Sequence, residues 1–258
     1  MMSFARTLFD HLRENAEYRP GRTVADFGPT LVVAPHPDDE SLGCGGTIAL
    51  LRRYERPVHI LFVSDGTMSH PNSLRFKKQV RRMIREEEAH AAAAVLNVAA
   101  QNLHFLRLPD TRIPYPGSEP ETSQAFEAAV ADVGHILDRV KPATVLLPWQ
   151  YDEHRDHAAS WHIGVSALNR SELPVRRLEY PMWGMERDCD SHANLLAQHD
   201  CVAIDIRNVV PEKQRAIAAH RSQVSGVFND DPDGFVLDEA LLSRFHNSFE
   251  YFLAERQP

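Results

Sequence analysis

Five consecutive residues, His36-Pro37-Asp38-Asp39-Glu40, put one imidazole beside three carboxylates. Carboxylates this close raise one another's pKa and resist burial, whereas a divalent cation makes the same crowding favourable. Alone, the stretch reads equally well as a solvated acidic loop. Far along the chain, Asp152-Glu153-His154-Arg155-Asp156-His157 repeats the theme. His154 and His157 are three apart, so on a helical turn they share a face, and one or both can point at an ion. A catalytic zinc takes three protein ligands from His and carboxylate and keeps an open position for water. His36, Asp39 and His157 supply such a set, so Zn²⁺ is the expected cofactor. Asp38 is then free to take that water's proton as the general base, and His154 is left as the acid. Asp156 is expected to hold the His154 imidazole in its useful tautomer and to raise its pKa.

Both clusters fall where strands should end. Apolar, β-branched runs predict strands at Leu31–Pro35, Val58–Val63, Leu103–Leu108 and Thr144–Leu147. Helical spacing predicts helices over about Gly46–Tyr54, Ser73–Leu96 and Ser123–Val140. Strand and helix alternate, which predicts an α/β, Rossmann-like fold: a mostly parallel sheet with helices on both faces and the active site at the C-terminal strand ends. Beyond Ala167 further strands are expected at Val175–Tyr180 and Cys201–Ile206, a helix at Pro211–Arg221 and a final helix at Leu237–Leu253.

At 258 residues the chain suits one domain, with a core over about 28–170 and C-terminal strands and helices over about 171–258. A net charge of −8, with basic residues scattered or followed by Glu86-Glu87-Glu88, argues against nucleic acid as a partner. Residues 1–19 have no apolar stretch long enough for a signal peptide or membrane span, which leads to an expected cytoplasmic location. Cys44, Cys189 and Cys201 are odd in number and lack a CxxC, as reduced thiols would. A homo-oligomer is compatible with all of this.

At these residues the sequence resembles the LmbE-like, or PIG-L, family of zinc-dependent N-acetylglucosaminyl de-N-acetylases, whose marks are a strand ending in (A/P)HPDDE and a later HxDH. Further likeness lies in Gly43-Cys44-Gly45-Gly46-Thr47, Ser64-Asp65-Gly66, Arg85 with Glu87-Glu88-Ala89, Leu108-Pro109-Asp110, and Asp205, Lys213 and His220-Arg221-Ser222-Gln223. The resemblance implies zinc on His36, Asp39 and His157, Asp38 as base, and His154 as acid and oxyanion partner. It also implies substrate contacts at Arg85 and Asp110, which otherwise read as a helix-surface salt bridge and a turn carboxylate. The sequence departs from the family at Arg155, where Pro is frequent, and at Asn97, where Gly is frequent. Arg155 adds a positive charge that would suit an anionic substrate if it did not point to solvent.

The implied activity is hydrolysis of the N-acetyl group of an N-acetylglucosamine-type sugar or its conjugate, with a small amino sugar or glycoconjugate as partner. A related zinc amidase on a sugar-linked thiol conjugate is the alternative. Specificity is expected from Thr67–Ser73, Arg112–Glu121, Met182–His192 and Gly226–Gly234, with Trp183 and Tyr115 as candidate sugar-stacking rings. Two histidines and a carboxylate also describe an iron oxygenase site, but the strand–helix alternation disfavours it. The Gly43–Gly46 run lacks the GxGxxG spacing of a dinucleotide site and follows three acids. A non-catalytic sugar-binding relative would be expected to lack a ligand or the base, and neither is deleted.

Overall fold

The computed structural model describes residues 6–117, 120–186 and 196–256. Among them eight strands form one sheet: β1 (Glu17–Arg19), β2 (Thr30–Ala34), β3 (Val58–Ser64), β4 (Leu103–Leu108), β5 (Thr144–Pro148), β6 (Arg176–Tyr180), β7 (His199–Asp205) and β8 (Phe249–Glu255). Their spatial order is β1-β7-β8-β6-β5-β2-β3-β4. β8 runs antiparallel to β6 and β7, and the other neighbours are parallel.

Among the described residues the α-helices are α1 (Leu8–Asn15), α2 (Asp39–Arg53), α3 (Lys78–Val95), α4 (Pro120–Val140), α5 (Arg155–Ser171), α6 (Val210–Ala219), α7 (Arg221–Val224) and α8 (Glu239–Ser243). β2 and β5 are buried along their whole length, because successive side chains supply opposite layers. Val32, Ala34, Ile60, Phe62 and Leu146 join a core with Ile48, Ala89 and Ala216 from α2, α3 and α6. Leu31, Val33, Leu61, Val63, Val145 and Leu147 join the other with Val130 and Ile163 from α4 and α5. Helices thus cover both faces, as expected. No described helix is long and apolar enough to cross a membrane.

The end of the chain differs from expectation. In place of a helix over Leu237–Leu253 there is the short α8, capped by Asp238 on Leu241 N–H at 2.8 Å, and then β8. The buried residues of β8 include Glu250, Phe252 and Leu253. Glu250, which a helical reading would place on the surface, accepts from Lys213 Nζ at 2.6 Å and from the N–H groups of Gly46 and Thr47 at 2.8 and 2.7 Å. That anchor and the pairing with β7 override the helical spacing. α1, with its Thr7–Asp10 capping box, and β1 were not expected.

α2 begins at Asp39 rather than near Gly46, so two of the three clustered acids lie in its first turn, where the helix dipole favours negative charge. Its glycines lower intrinsic helix propensity but permit close packing. A Cβ at Gly43 would lie 2.5 Å from the Tyr180 ring, and one at Gly46 would lie 2.6 Å from Ile206. The glycine run is therefore the interior of a packed helix, not a phosphate-cradling turn. α3 begins at Lys78 rather than Ser73, because Asp230 accepts from Ser73 Oγ and from the N–H groups of Leu74 and Arg75, holding the preceding stretch as a loop.

Candidate metal centre and catalytic pocket

β2 delivers His36 and α2 delivers Asp39. Asp39 Oδ2 accepts the His36 backbone N–H at 2.8 Å and lies 3.2 Å from His36 Nδ1. The other ring nitrogen, Nε2, faces Asp156 Oδ2 at 3.2 Å and Asp110 Oδ1 at 3.3 Å. Asp38 sits between them at φ 143°, ψ −28°, a conformation that costs a non-glycine residue about 1–3 kcal/mol and persists only where its surroundings impose it. Those surroundings are visible. Asp38 N–H donates to Glu40 Oε2 at 3.0 Å, and Glu40 Oε1 is 2.8 Å from His220 Nε2. Arg85 donates to the carbonyls of Pro37 and Gly66 and lies 3.2 Å from Asp38 Oδ2. Burial pushes the Asp38 carboxyl up to about 6, against the opposing pull of Arg85.

β5 delivers the second cluster through the N-terminus of α5. His154 is the N-cap, its Nδ1 accepting Asp156 N–H at 3.2 Å, and His157 lies in the first turn, fully buried. His157 Nδ1 is 3.2 Å from Asp152 Oδ2, and its Nε2 is 3.3 Å from Asp39 Oδ2. That separation lacks hydrogen-bond alignment, and Nε2 is a buried nitrogen with no hydrogen-bond partner. Burial alone would lower the His157 pKa, but Asp39 and Asp152 hold it up at about 9. Ligand atoms of His36, His154 and His157 lie within 4.8 Å of one another, as do those of His36, Asp110 and Asp156.

The donor set fits a divalent cation. The orphaned His157 Nε2 and the His36 Nδ1 both lie 3.2–3.3 Å from the same Asp39 carboxylate oxygen, amid carboxylates that a cation would neutralise. His36 and Asp39 open into a cavity of about 300 Å³ that Asp38, Arg85, Asp110 and His154 also line.

Asp156 does not hold the tautomer of His154 with its carboxylate. The turn into α5 points that carboxylate at Thr111 N–H, 2.7 Å away, and at His36; what meets His154 is the Asp156 backbone N–H. Nor is the His154 pKa raised. Burial first, then the positive charge of His36 and His157, holds it below the ordinary value, with Asp156 opposing only in part. Arg85 is buried rather than on the helix surface, and Asp110, also buried, accepts Met68 N–H at 2.6 Å. Arg155 donates to the Ile113 carbonyl at 2.9 Å and is not among the cavity lining.

Of the two candidate stacking rings, Trp183 lines the cavity. Tyr115 instead packs on His162, with its hydroxyl 2.9 Å from Nε2. Two of the expected specificity stretches reach the cavity, through Met68 and Ser69 and through Trp183, and the other two each stop one residue short of a lining residue, Thr111 and Phe235. Residues 118–119 and 187–192 of those stretches lie outside the described residues, as does Cys189. Sequence reasoning missed Phe235, which meets Trp183 edge-on, and Asp152, although its place two residues before His154 was a signal. Gln223 carried family likeness without a role, and it lines the cavity.

Known proteins agree with this architecture. A "Probable N-acetyl-alpha-D-glucosaminyl L-malate deacetylase 2" of Bacillus subtilis is 28% identical over 226 residues, 86% of this chain and 95% of that one. The structure of N,N'-diacetylchitobiose deacetylase from Pyrococcus horikoshii superposes with a TM-score of 0.65 at 21% identity, covering 91% of this chain and 90% of that one. The fold is shared more widely: the 4-carboxy-2-hydroxymuconate hydratase GalB of Pseudomonas putida superposes with a TM-score of 0.62 at 18% identity, covering 90% and 97%. The family model PIG-L, GlcNAc-PI de-N-acetylase, matches residues 31–168. That span takes in both polar clusters and more than half of the chain, which therefore belongs to the PIG-L family.

Proposed function

We propose that the protein is a zinc-dependent hydrolase that removes the N-acetyl group of an N-acetylglucosamine-type sugar or its conjugate. The observation that carries this is the buried, unpartnered Nε2 of His157 beside Asp39, which with His36 lines a cavity. A fold shared with a hydratase cannot carry it. His36, Asp39 and His157 would hold the ion. When bound, zinc lowers the pKa of a water to about 7 and polarises a carbonyl.

Asp38, outside that ligand set, takes the water's proton. Its strained backbone and Arg85 fix where its carboxylate points, and a pKa of about 6 leaves it ionised yet basic near neutrality. The departing amine needs a proton, because an amine anion is a very poor leaving group. His154, in the cavity, steadies the oxyanion through Nε2–H and supplies that proton as the imidazolium, which it becomes only when Nδ1 gives up the Asp156 backbone N–H it accepts and takes a proton instead. A second reading has one observation in its favour: that same N–H on Nδ1 disfavours the imidazolium, so protonated Asp38 can itself return the proton to the amine. His154→Ala separates the two. A loss of orders of magnitude in turnover supports the histidine donor; a loss of a few-fold supports Asp38.

Trp183, Phe235 and Met68 form the apolar wall on which a sugar ring can lie. The protein is read as acting on small amino-sugar glycosides in solution, in the cytoplasm. The test is to incubate purified protein with a panel of N-acetylated amino sugars, with and without chelator, and to measure free amine and acetate. Stoichiometric acetate and amine, abolished by chelator, are expected; release from none of the panel would overturn the reading.

A further inference from the structure

Asp152 is buried and accepts from four backbone N–H groups: Glu153 at 2.8 Å, Trp183 at 2.9 Å and Gly184 at 3.0 Å on Oδ1, and Met182 at 3.0 Å on Oδ2. Its fifth neighbour is His157 Nδ1, 3.2 Å from Oδ2. Every other group facing this carboxylate is a donor, so it is an acceptor on all sides, and the imidazole nitrogen turned toward it must carry hydrogen. In the neutral ring the lone pair then lies on Nε2, the buried nitrogen that has no hydrogen-bond partner and sits 3.3 Å from Asp39 Oδ2.

We propose that Asp152 is a positioning residue for the metal centre: it fixes His157 in the Nδ1–H tautomer that makes Nε2 the ligating atom. The same carboxylate gathers the backbone of residues 182–184, so it ties the segment carrying Trp183 into the cavity to that ligand. This inference rests on the reading of His157 as a metal ligand. A carboxylate behind a ligating histidine orients the ring and strengthens it as a ligand, and removing it costs about 10- to 100-fold in metal affinity. A carboxylate that only holds a turn would leave the histidine's tautomer and its ion unaffected.

Asp152→Asn keeps the shape but replaces one oxygen by an NH₂ donor. Turned toward His157, that donor calls for hydrogen on Nε2, the wrong tautomer for ligation; turned away, it opposes Trp183 and Gly184 N–H. Zinc affinity, measured by competition with a chromogenic chelator, is expected to fall about 10- to 100-fold. In the zinc-loaded wild type, ¹⁵N-histidine NMR is expected to show one slowly exchanging, low-field Nδ1–H resonance that is missing from His157→Gln. In Asp152→Asn at saturating zinc it should move upfield or vanish. The wild-type spectrum decides even if the variant fails to fold: His157 bound through Nδ1 overturns the proposal. So does a folded Asp152→Asn with unchanged zinc affinity and an unchanged resonance. A wild type that takes up no zinc overturns the metal reading together with this one, whereas the two preceding outcomes overturn this one alone.

Discussion

Two clusters of buried charge flank α2, and they are built to opposite ends. Around Glu250 the charge is closed: Lys213 supplies the opposite charge and Gly46 and Thr47 supply N–H groups, so both carboxylate oxygens are satisfied by the protein itself. Around His36, Asp38, Asp39 and His157 it does not. A buried nitrogen is left without a partner, Asp38 is held in strained backbone, and the group opens to a cavity. Burial of charge therefore does not mark a site in this molecule. The mark is an imidazole nitrogen left unsatisfied beside carboxylates next to an open cavity.

The largest effect expected is at Asp38. Asp38→Asn keeps shape while removing the proton acceptor, so deacetylation should fall about 10²- to 10⁴-fold with zinc content unchanged. A near-normal rate would remove Asp38 from the chemistry. The closed cluster should behave in the reverse manner: Lys213→Met leaves Glu250 buried and unpaired, and should cost about 3–5 kcal/mol in denaturant unfolding. The folded fraction should keep wild-type zinc content and turnover; loss of zinc there would erase the contrast between the clusters. At the apolar wall, Phe235→Ala should raise KM several-fold and leave kcat nearly unchanged, in line with about 0.5–1.5 kcal/mol for an aromatic contact. A changed kcat with constant KM would place Phe235 in the chemistry instead.

A histidine pair without carboxylates sharpens the comparison further. His59 Nδ1 and His104 Nε2 are 3.1 Å apart, with Arg139 beside His104, a cationic setting that disfavours an ion. Burial, then the charge of His59 and Arg139, lowers the His104 pKa from 6.5 to about 4. The unfolded chain therefore binds the proton more readily. This contribution to stability is complete above about pH 6.5 and is lost as pH falls toward 4. His104→Gln should flatten that part of the stability–pH curve slightly, as thermal melts between pH 7 and 4 would show; an unchanged slope would mean that the pair does not titrate in this range.

Much of this was legible before any coordinates. Periodicity placed β2 to β7, α3, α4 and α6 to within a few residues, because buried parallel strands and amphipathic helices are written locally; α5, beyond the one helical turn weighed at His154–His157, was not expected. β8 was not legible: Phe249–Glu255 carries helical spacing, and only pairing with β7 and the distant Lys213 make it a strand. The same holds within the site. His36, Asp39 and His157 announced themselves by residue type, and the structure brings them together. The direction of the Asp156 carboxylate could not be read, because it is set by Thr111 N–H from a different loop. Asp152 was hidden for a related reason, since four backbone N–H groups, three of them from residues 182–184, define its role.

The open cluster's identity as a metal centre is tested most directly by elemental analysis of wild type and single variants after equilibration with limiting zinc. The account predicts about one Zn²⁺ per wild-type chain, lost or greatly weakened in His36→Ala, Asp39→Ala and His157→Ala, and kept in His154→Ala. Full zinc in all three ligand variants, or zinc lost from His154→Ala while His157→Ala keeps it, would contradict it.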